Sequence, residues 1–92
     1  MALFVVGYDL KTDRGEHRDY EPIETALGEL DSCHTQDSVW YVDYNGTAKQ
    51  LFDHLKPKVE DRDRLMVIEF SKKPAWQKGL PGTKAWITER FG

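Results

Sequence analysis

The stretch Ser38-Val39-Trp40-Tyr41-Val42-Asp43-Tyr44-Asn45-Gly46-Thr47-Ala48 decides the fold. Val39 to Val42 are β-branched and aromatic, the residue types that suit a pleated, half-buried strand. Asn45-Gly46 stops the run. Thr47 is then a helix cap, because its hydroxyl can accept an orphan N–H from the first turn. Beyond it Ala48, Leu51, Phe52, Leu55 and Val59 recur on one side of a helix that Pro57 bends or ends. The apolar period changes from that of a strand to that of a helix within a few residues, so the segment is a strand feeding a helix.

Working outward, Cys33 to Gln36 reads as a short strand, and Asp37 makes a tight turn or bulge before Ser38 to Tyr44. Upstream of it, Tyr20, Ile23, Leu27 and Leu30 form one helical stripe. Asp19 is placed to cap that helix, Pro22 falls in its first turn, and Gly28 lies near its end. Leu3 to Tyr8 is a continuous apolar run, a buried strand ending at Asp9, and Lys11 to Arg18 is a polar loop. Downstream, Glu60 to Arg64 is a charged turn and Leu65 to Phe70 the last strand. Residues 71–82 carry Pro74, Gly79, Pro81 and Gly82 and read as a loop. Thr83 to Phe91 closes the chain as a helix anchored by Trp86 and Phe91.

The order is βαββαβ followed by a helix. It predicts one α+β domain over 1–92: a ferredoxin-like sandwich of core 1–70 with a C-terminal tail 71–92. Right-handed crossovers put the first two helices on one face of the sheet. We expect Phe4, Val6, Tyr8, Trp40, Val42, Met66, Ile68 and Phe70 to face those helices. The other parity is Leu3, Val5, Gly7, Asp9, Val39, Tyr41, Asp43, Leu65, Val67 and Glu69. It is too apolar for open solvent, so a second subunit, the tail helix or both should cover it.

Composition narrows the function classes. The 92 residues carry a formal net charge of −3, so a phosphate ligand must be met by a local basic patch rather than by the field of the whole molecule. Cys33 is the single cysteine, which excludes an internal disulfide and fits a reducing compartment. The N-terminus shows no basic leader or cleavage site, and no apolar run approaches the ~20 residues of a membrane span. A cytoplasmic protein without membrane association is the expectation.

Several short motifs resemble a known family. Val5-Val6-Gly7-Tyr8-Asp9-Leu10 is similar to the first strand of CRISPR-associated protein 2, and Ser38-Val39-Trp40 resembles its Ser-Val-aromatic segment. Tyr8-Asp9-Leu10, Asp19-Tyr20, Asp37-Ser38-Val39-Trp40 and Asp63-Arg64-Leu65-Met66-Val67-Ile68-Glu69 together resemble small SinR-like relatives of that family. The likeness spans residues 3 to 70 by element order. It implies a ferredoxin-like fold and a homodimer. It also implies that the Asp closing the first strand, here Asp9, is a metal ligand and catalytic residue with Mg²⁺ or Mn²⁺. Some members of the family are metal-dependent nucleases on RNA or DNA, and others are adaptors that hold DNA in antiviral defence. Two departures stand out: the first helix carries Glu21, Glu24 and Glu29 where the family has basic residues, and a tail follows Phe70.

Each candidate has a functional and a plainer reading. Asp9 could share a divalent ion with the Asp9 of a second copy, or simply bond nearby amides of a turn. Asp13, Glu16 and His17 could complete a metal shell or be solvated loop residues. Cys33 and His34 are adjacent, so their side chains alternate across a strand and make poor joint ligands. Neither zinc spacing nor a phosphate-binding glycine loop is present. Lys72, Lys73, Trp76 and Lys78, with Lys84, form a basic-aromatic cluster that can grip phosphates and stack a base. In the plainer reading Trp76 covers the sheet while the lysines keep the loop soluble. Lys11, Arg14 and Arg18 are a second basic group close to Asp9. Asp61-Arg62-Asp63-Arg64 reads as a solvated turn of alternating sign. Three functions stay open: a dimeric nucleic-acid-binding adaptor, a metal-dependent endonuclease using Asp9, and a protein-interaction module of a phage, toxin or defence locus.

Overall fold

The computed structural model describes residues 2–12 and 16–92. Its elements run β1 (Ala2–Asp9), α1 (Glu21–Gly28), β2 (Asp31–Gln36), β3 (Val39–Tyr44), α2 (Ala48–Leu55), a 3-10 turn (Lys56–Lys58), β4 (Arg64–Phe70) and α3 (Thr83–Phe91). The four strands form one sheet in the order β2-β3-β1-β4, with every neighbouring pair antiparallel. This is the expected ferredoxin-like arrangement, and the tail helix follows it.

Local chemistry sets the boundaries. Thr47 and Gln50 cap α2 reciprocally: the Gln50 N–H donates to Thr47 Oγ1 at 3.1 Å, and the Thr47 N–H donates to Gln50 Oε1 at 2.8 Å. Pro57 sits in the 3-10 turn that ends this helix. At α1 the Asp19 carboxylate accepts the Glu21 N–H at 2.9 Å, one residue before the helical cap position at Tyr20. The bend between β2 and β3 includes a bulge between His34 and Gln36.

The main core is Phe4, Val6, Tyr8, Trp40 and Val42 of the sheet against Ile23, Ala26, Leu27, Leu51 and Leu55 of the helices. Burying each large aliphatic side chain contributes roughly 1.5–3 kcal/mol. The helix-facing parity of β1 and β3 is as predicted, but that of β4 is reversed. Val6 pairs with Val67 and Tyr8 with Leu65, so Leu65 and Val67 pack on the helices. Met66, Ile68 and Phe70 lie on the outer face instead. Parity within a strand is readable from sequence, but the register that joins two strands is not, and a one-residue offset exchanges the faces.

The chain's own tail covers part of that outer face. Trp86 and Ile87 of α3 pack on Cys33 and Tyr41, with Leu3, Val5, Phe70, Trp76 and Phe91 around them. Trp86 is 8% exposed and stacks on Tyr41 at 5.9 Å between ring centroids. Arg90 clamps the helix end. Its guanidinium lies 3.8 Å from the Trp86 ring centroid and bonds Asp31 at 2.8 Å and Asp43 at 3.3 Å. At the other end of α3, the Thr83 hydroxyl reaches the Thr35 hydroxyl at 3.1 Å. Among the described residues no helix is long and apolar enough to cross a membrane.

Candidate nucleic-acid interface

The C-terminal end of β1 and the N-terminal end of β4 lie side by side, with Asp9 opposite Arg64. The loop after β1 and the turn before β4 are held together by one carboxylate. Asp63 accepts both guanidinium arms of Arg18, at 2.8 and 2.6 Å, together with the backbone N–H of Lys11 at 2.9 Å and of Glu60 at 2.8 Å. Arg18 also donates to the Lys11 carbonyl. The Asp63 side chain is fully buried and that of Arg18 is 8% exposed. The Arg18 guanidinium holds the Asp63 carboxyl well below the usual carboxylate range, and the two backbone donors add to this against the opposing effect of burial. The same hydrogen bonds raise the already high pKa of Arg18.

On this frame sits an open cleft of about 310 Å³ lined by Asp9, Leu10, Lys11, Thr12, Arg62 and Arg64. Three cations and one carboxylate therefore line it. Arg62 is bound to Glu16 at 2.7 Å and Glu60 at 2.9 Å, and these bonds raise its pKa further. Arg64 is 85% exposed and touches Asp9 at 3.2 Å, whose own side chain is 67% exposed. So exposed a pair contributes little to stability and exchanges partners readily. A phosphate oxygen could replace the Asp9 carboxylate on Arg64 with little loss.

The cleft of one copy offers, among the described residues, a single carboxylate, Asp9, already facing a guanidinium, whereas Mg²⁺ takes a near-octahedral set of oxygen ligands. Among the described residues no three His, Cys, Asp or Glu side chains converge on one point. Glu16, a proposed completing ligand, is engaged with Arg62. Asp13 and Arg14 lie outside the described residues.

The remaining sequence candidates are scattered. Arg18 is committed to Asp63, which makes it a brace between two loops rather than an exposed contact. Lys72 and Lys73 follow Phe70, at the end of β4 remote from Asp9. The Lys73 ammonium donates to the Gly92 carbonyl at 3.2 Å. Trp76 packs against the tail cluster, as the plainer reading has it. Lys78 is exposed with a left-handed φ of 53°. The two basic groups thus do not form one surface. Sequence reasoning missed Arg64, and it placed Asp63 in solvent although its side chain is buried. The alternating charges of residues 61–64 gave no sign that one of them turns inward.

His34 is engaged in ring packing and a backbone contact. It stacks on Trp40 with ring centroids 4.3 Å apart, and its Nε2 lies 2.9 Å from the Asp37 carbonyl. The Trp40 indole N–H donates to the Tyr8 hydroxyl at 3.1 Å, and burial pushes that phenol up to about 12. This group closes one end of the core. No family model matches the chain, and no solved structure matches it.

Proposed function

We propose that the chain is a homodimeric nucleic-acid-binding module, similar in role to the adaptor members of the CRISPR-associated protein 2 family, and that it takes phosphate at the cleft between Lys11 and Arg64. The supporting observation is that Arg64 is exposed beside Lys11 and Arg62, on a hydrogen-bonded frame, and that its own counter-charge is the exposed, weakly held Asp9 carboxylate. The net charge of −3 makes binding weak and strongly dependent on salt. Fluorescence anisotropy with labelled single-stranded RNA and duplex DNA tests this. Affinity should fall steeply between low and physiological salt, and Lys11→Ala/Arg64→Ala should weaken it about tenfold or more, the ~1.4 kcal/mol of one or two lost phosphate contacts. Binding that is absent at low salt, or equal in the double variant, overturns the reading. The endonuclease alternative through Asp9 draws on the same cleft, but its ligand set favours phosphate over metal.

A further inference from the structure

The two edges of the sheet are finished differently. The β2 edge is protected by several devices at once. A bulge interrupts it between His34 and Gln36, the Leu80 N–H donates to the Thr35 carbonyl at 2.9 Å, Asp31 adds an exposed charge at its start, and α3 lies against it. These are the means by which soluble proteins keep an edge from pairing with another chain. Among the described residues the β4 edge carries exposed charges, Arg64 at its start and Glu69 near its end, but neither a bulge nor a loop bonded along it. It pairs with β1 in unbroken register and contains no proline, and its middle, Leu65-Met66-Val67-Ile68, is wholly apolar. Met66 and Ile68 are 51% and 50% exposed.

The free hydrogen-bonding groups of this edge can be assigned. The Tyr8 N–H donates to the Ser38 carbonyl, so even-numbered residues of β1 bond towards β3 and odd-numbered ones towards β4. Val5 pairs with Ile68 and Gly7 with Met66, so the even residues of β4 bond to β1. Leu65, Val67 and Glu69 therefore direct their N–H and C=O groups outward.

We infer that β4 pairs with β4 of a second copy, antiparallel about a two-fold axis through Val67, to make one continuous sheet across the dimer. Val67 is the midpoint of Arg64–Phe70, so this register pairs the whole strand without overhang. It sets Val67 against the partner's Val67 and Leu65 against the partner's Glu69, each through outward-directed backbone groups. On the outer face Met66 lies beside the partner's Ile68, and Arg64 falls opposite the partner's Phe70. No like charges meet, and the exposed apolar pair of one chain is covered by that of the other. Shifting the axis by one residue would bring Arg64 opposite the partner's Ile68, or leave an end unpaired.

This inference rests on the homodimer part of the proposed function and not on its nucleic-acid part. It also has a geometric consequence. Asp9 is aligned with Arg64 at one end of the joined strands, so the two Asp9 carboxylates lie more than ~20 Å apart by ordinary strand rise and spacing, and no single ion can bridge them. The strand pair buries an area at the lower end for specific complexes, under ~1,200 Å², so the dimer should be reversible at micromolar concentration.

Sedimentation equilibrium in nucleic-acid-free buffer tests the assignment. The wild type should approach twice the chain mass of 10.7 kDa with rising concentration. Ile68→Lys should remain monomeric at concentrations where the wild type pairs, because it replaces the apolar contact with the partner's Met66 and sets two ammonium groups diagonally across the axis. Glu69→Pro should also remain monomeric: it removes an outward N–H while its N–H makes no bond to β1. A parallel readout needs no variant: the Leu65, Val67 and Glu69 amides should gain hydrogen-exchange protection as concentration rises. A wild type that stays monomeric overturns the homodimer itself. A dimer that persists in both variants, or that protects none of these amides, shows pairing through another face and overturns the β4 assignment alone.

Discussion

Arg18 and Asp63, 45 positions apart, meet through two parallel hydrogen bonds at 2.8 and 2.6 Å with the carboxylate fully buried. This one pair joins the loop after β1 to the turn before β4 and so fixes both walls of the basic cleft. A buried carboxylate with four donors has its pKa lowered on folding, as the direction for Asp63 shows. A lowered folded pKa means the unfolded chain binds the proton more tightly. The stabilisation is then complete above the unfolded pKa of about 4 and is lost as pH falls towards the folded value.

The first prediction follows from that sign. Asp63→Asn should lower the melting temperature at pH 7 by several degrees. Below about pH 5 the gap to wild type should narrow, because only the wild type still loses this contribution. Thermal melts by circular dichroism from pH 7 to pH 3 check it. A gap that stays constant with pH would mean that Asp63 does not titrate differently in the folded state.

What was legible in the sequence was everything carried by local period. Strand and helix order came from runs such as Val39 to Val42 and the Leu51–Leu55 stripe, and Thr83 to Phe91 coincides with α3. The α2 cap was readable because Thr47 follows directly on the Asn45-Gly46 stop, although its reciprocal partner Gln50 was not read. Long-range relations were not. The face of β4 depends on its register with β1, and the inward turn of Asp63 depends on an arginine in another loop. Asp43, at the acidic end of the outer parity, is part of the socket for Arg90. Asp43 looks like an exposed strand residue until the tail helix is laid on it.

The second prediction concerns that socket. Trp86 is buried, and truncation of a buried tryptophan costs about 3–5 kcal/mol, so Trp86→Ala should loosen α3 and lower the melting point markedly. Arg90 should be coupled to Asp43, which has one carboxylate oxygen buried without a partner. Arg90→Met alone leaves that carboxylate without its cation. Arg90→Met/Asp43→Asn should recover part of the loss, giving a coupling on the order of 1 kcal/mol in a denaturant double-mutant cycle. Strict additivity would show that the clamp contributes nothing beyond packing.

The third prediction isolates a local term. Thr47→Ala removes the acceptor for the Gln50 N–H and should cost about 1 kcal/mol in urea unfolding, with an unchanged m-value. Thr47→Ser should be close to neutral because the hydroxyl remains. If the serine variant is as unstable as the alanine one, the methyl group rather than the cap is responsible.

The last prediction separates the two readings of the cleft at Asp9. If Asp9 is a metal ligand, replacing it should weaken whatever the ion supports, and Mn²⁺ should be required for any cleavage. If the cleft takes phosphate, Asp9 is instead the competitor that occupies Arg64 at 3.2 Å. Asp9→Asn removes that negative charge while keeping size and shape, so it should tighten RNA or DNA binding a few-fold at low salt. The gain should shrink as salt screens the charges. Binding by wild type and Asp9→Asn should be indifferent to chelator, and neither should cut the labelled strand. Anisotropy titrations with and without Mn²⁺, followed on the same samples by denaturing gels, measure affinity and cleavage together. Mn²⁺-dependent cleavage that Asp9→Asn abolishes would reverse the assignment and make Asp9 catalytic. A variant that binds more weakly than wild type, with no cleavage in either, would place phosphate away from Arg64 and send the search to Lys72 and Lys73, at the far end of β4.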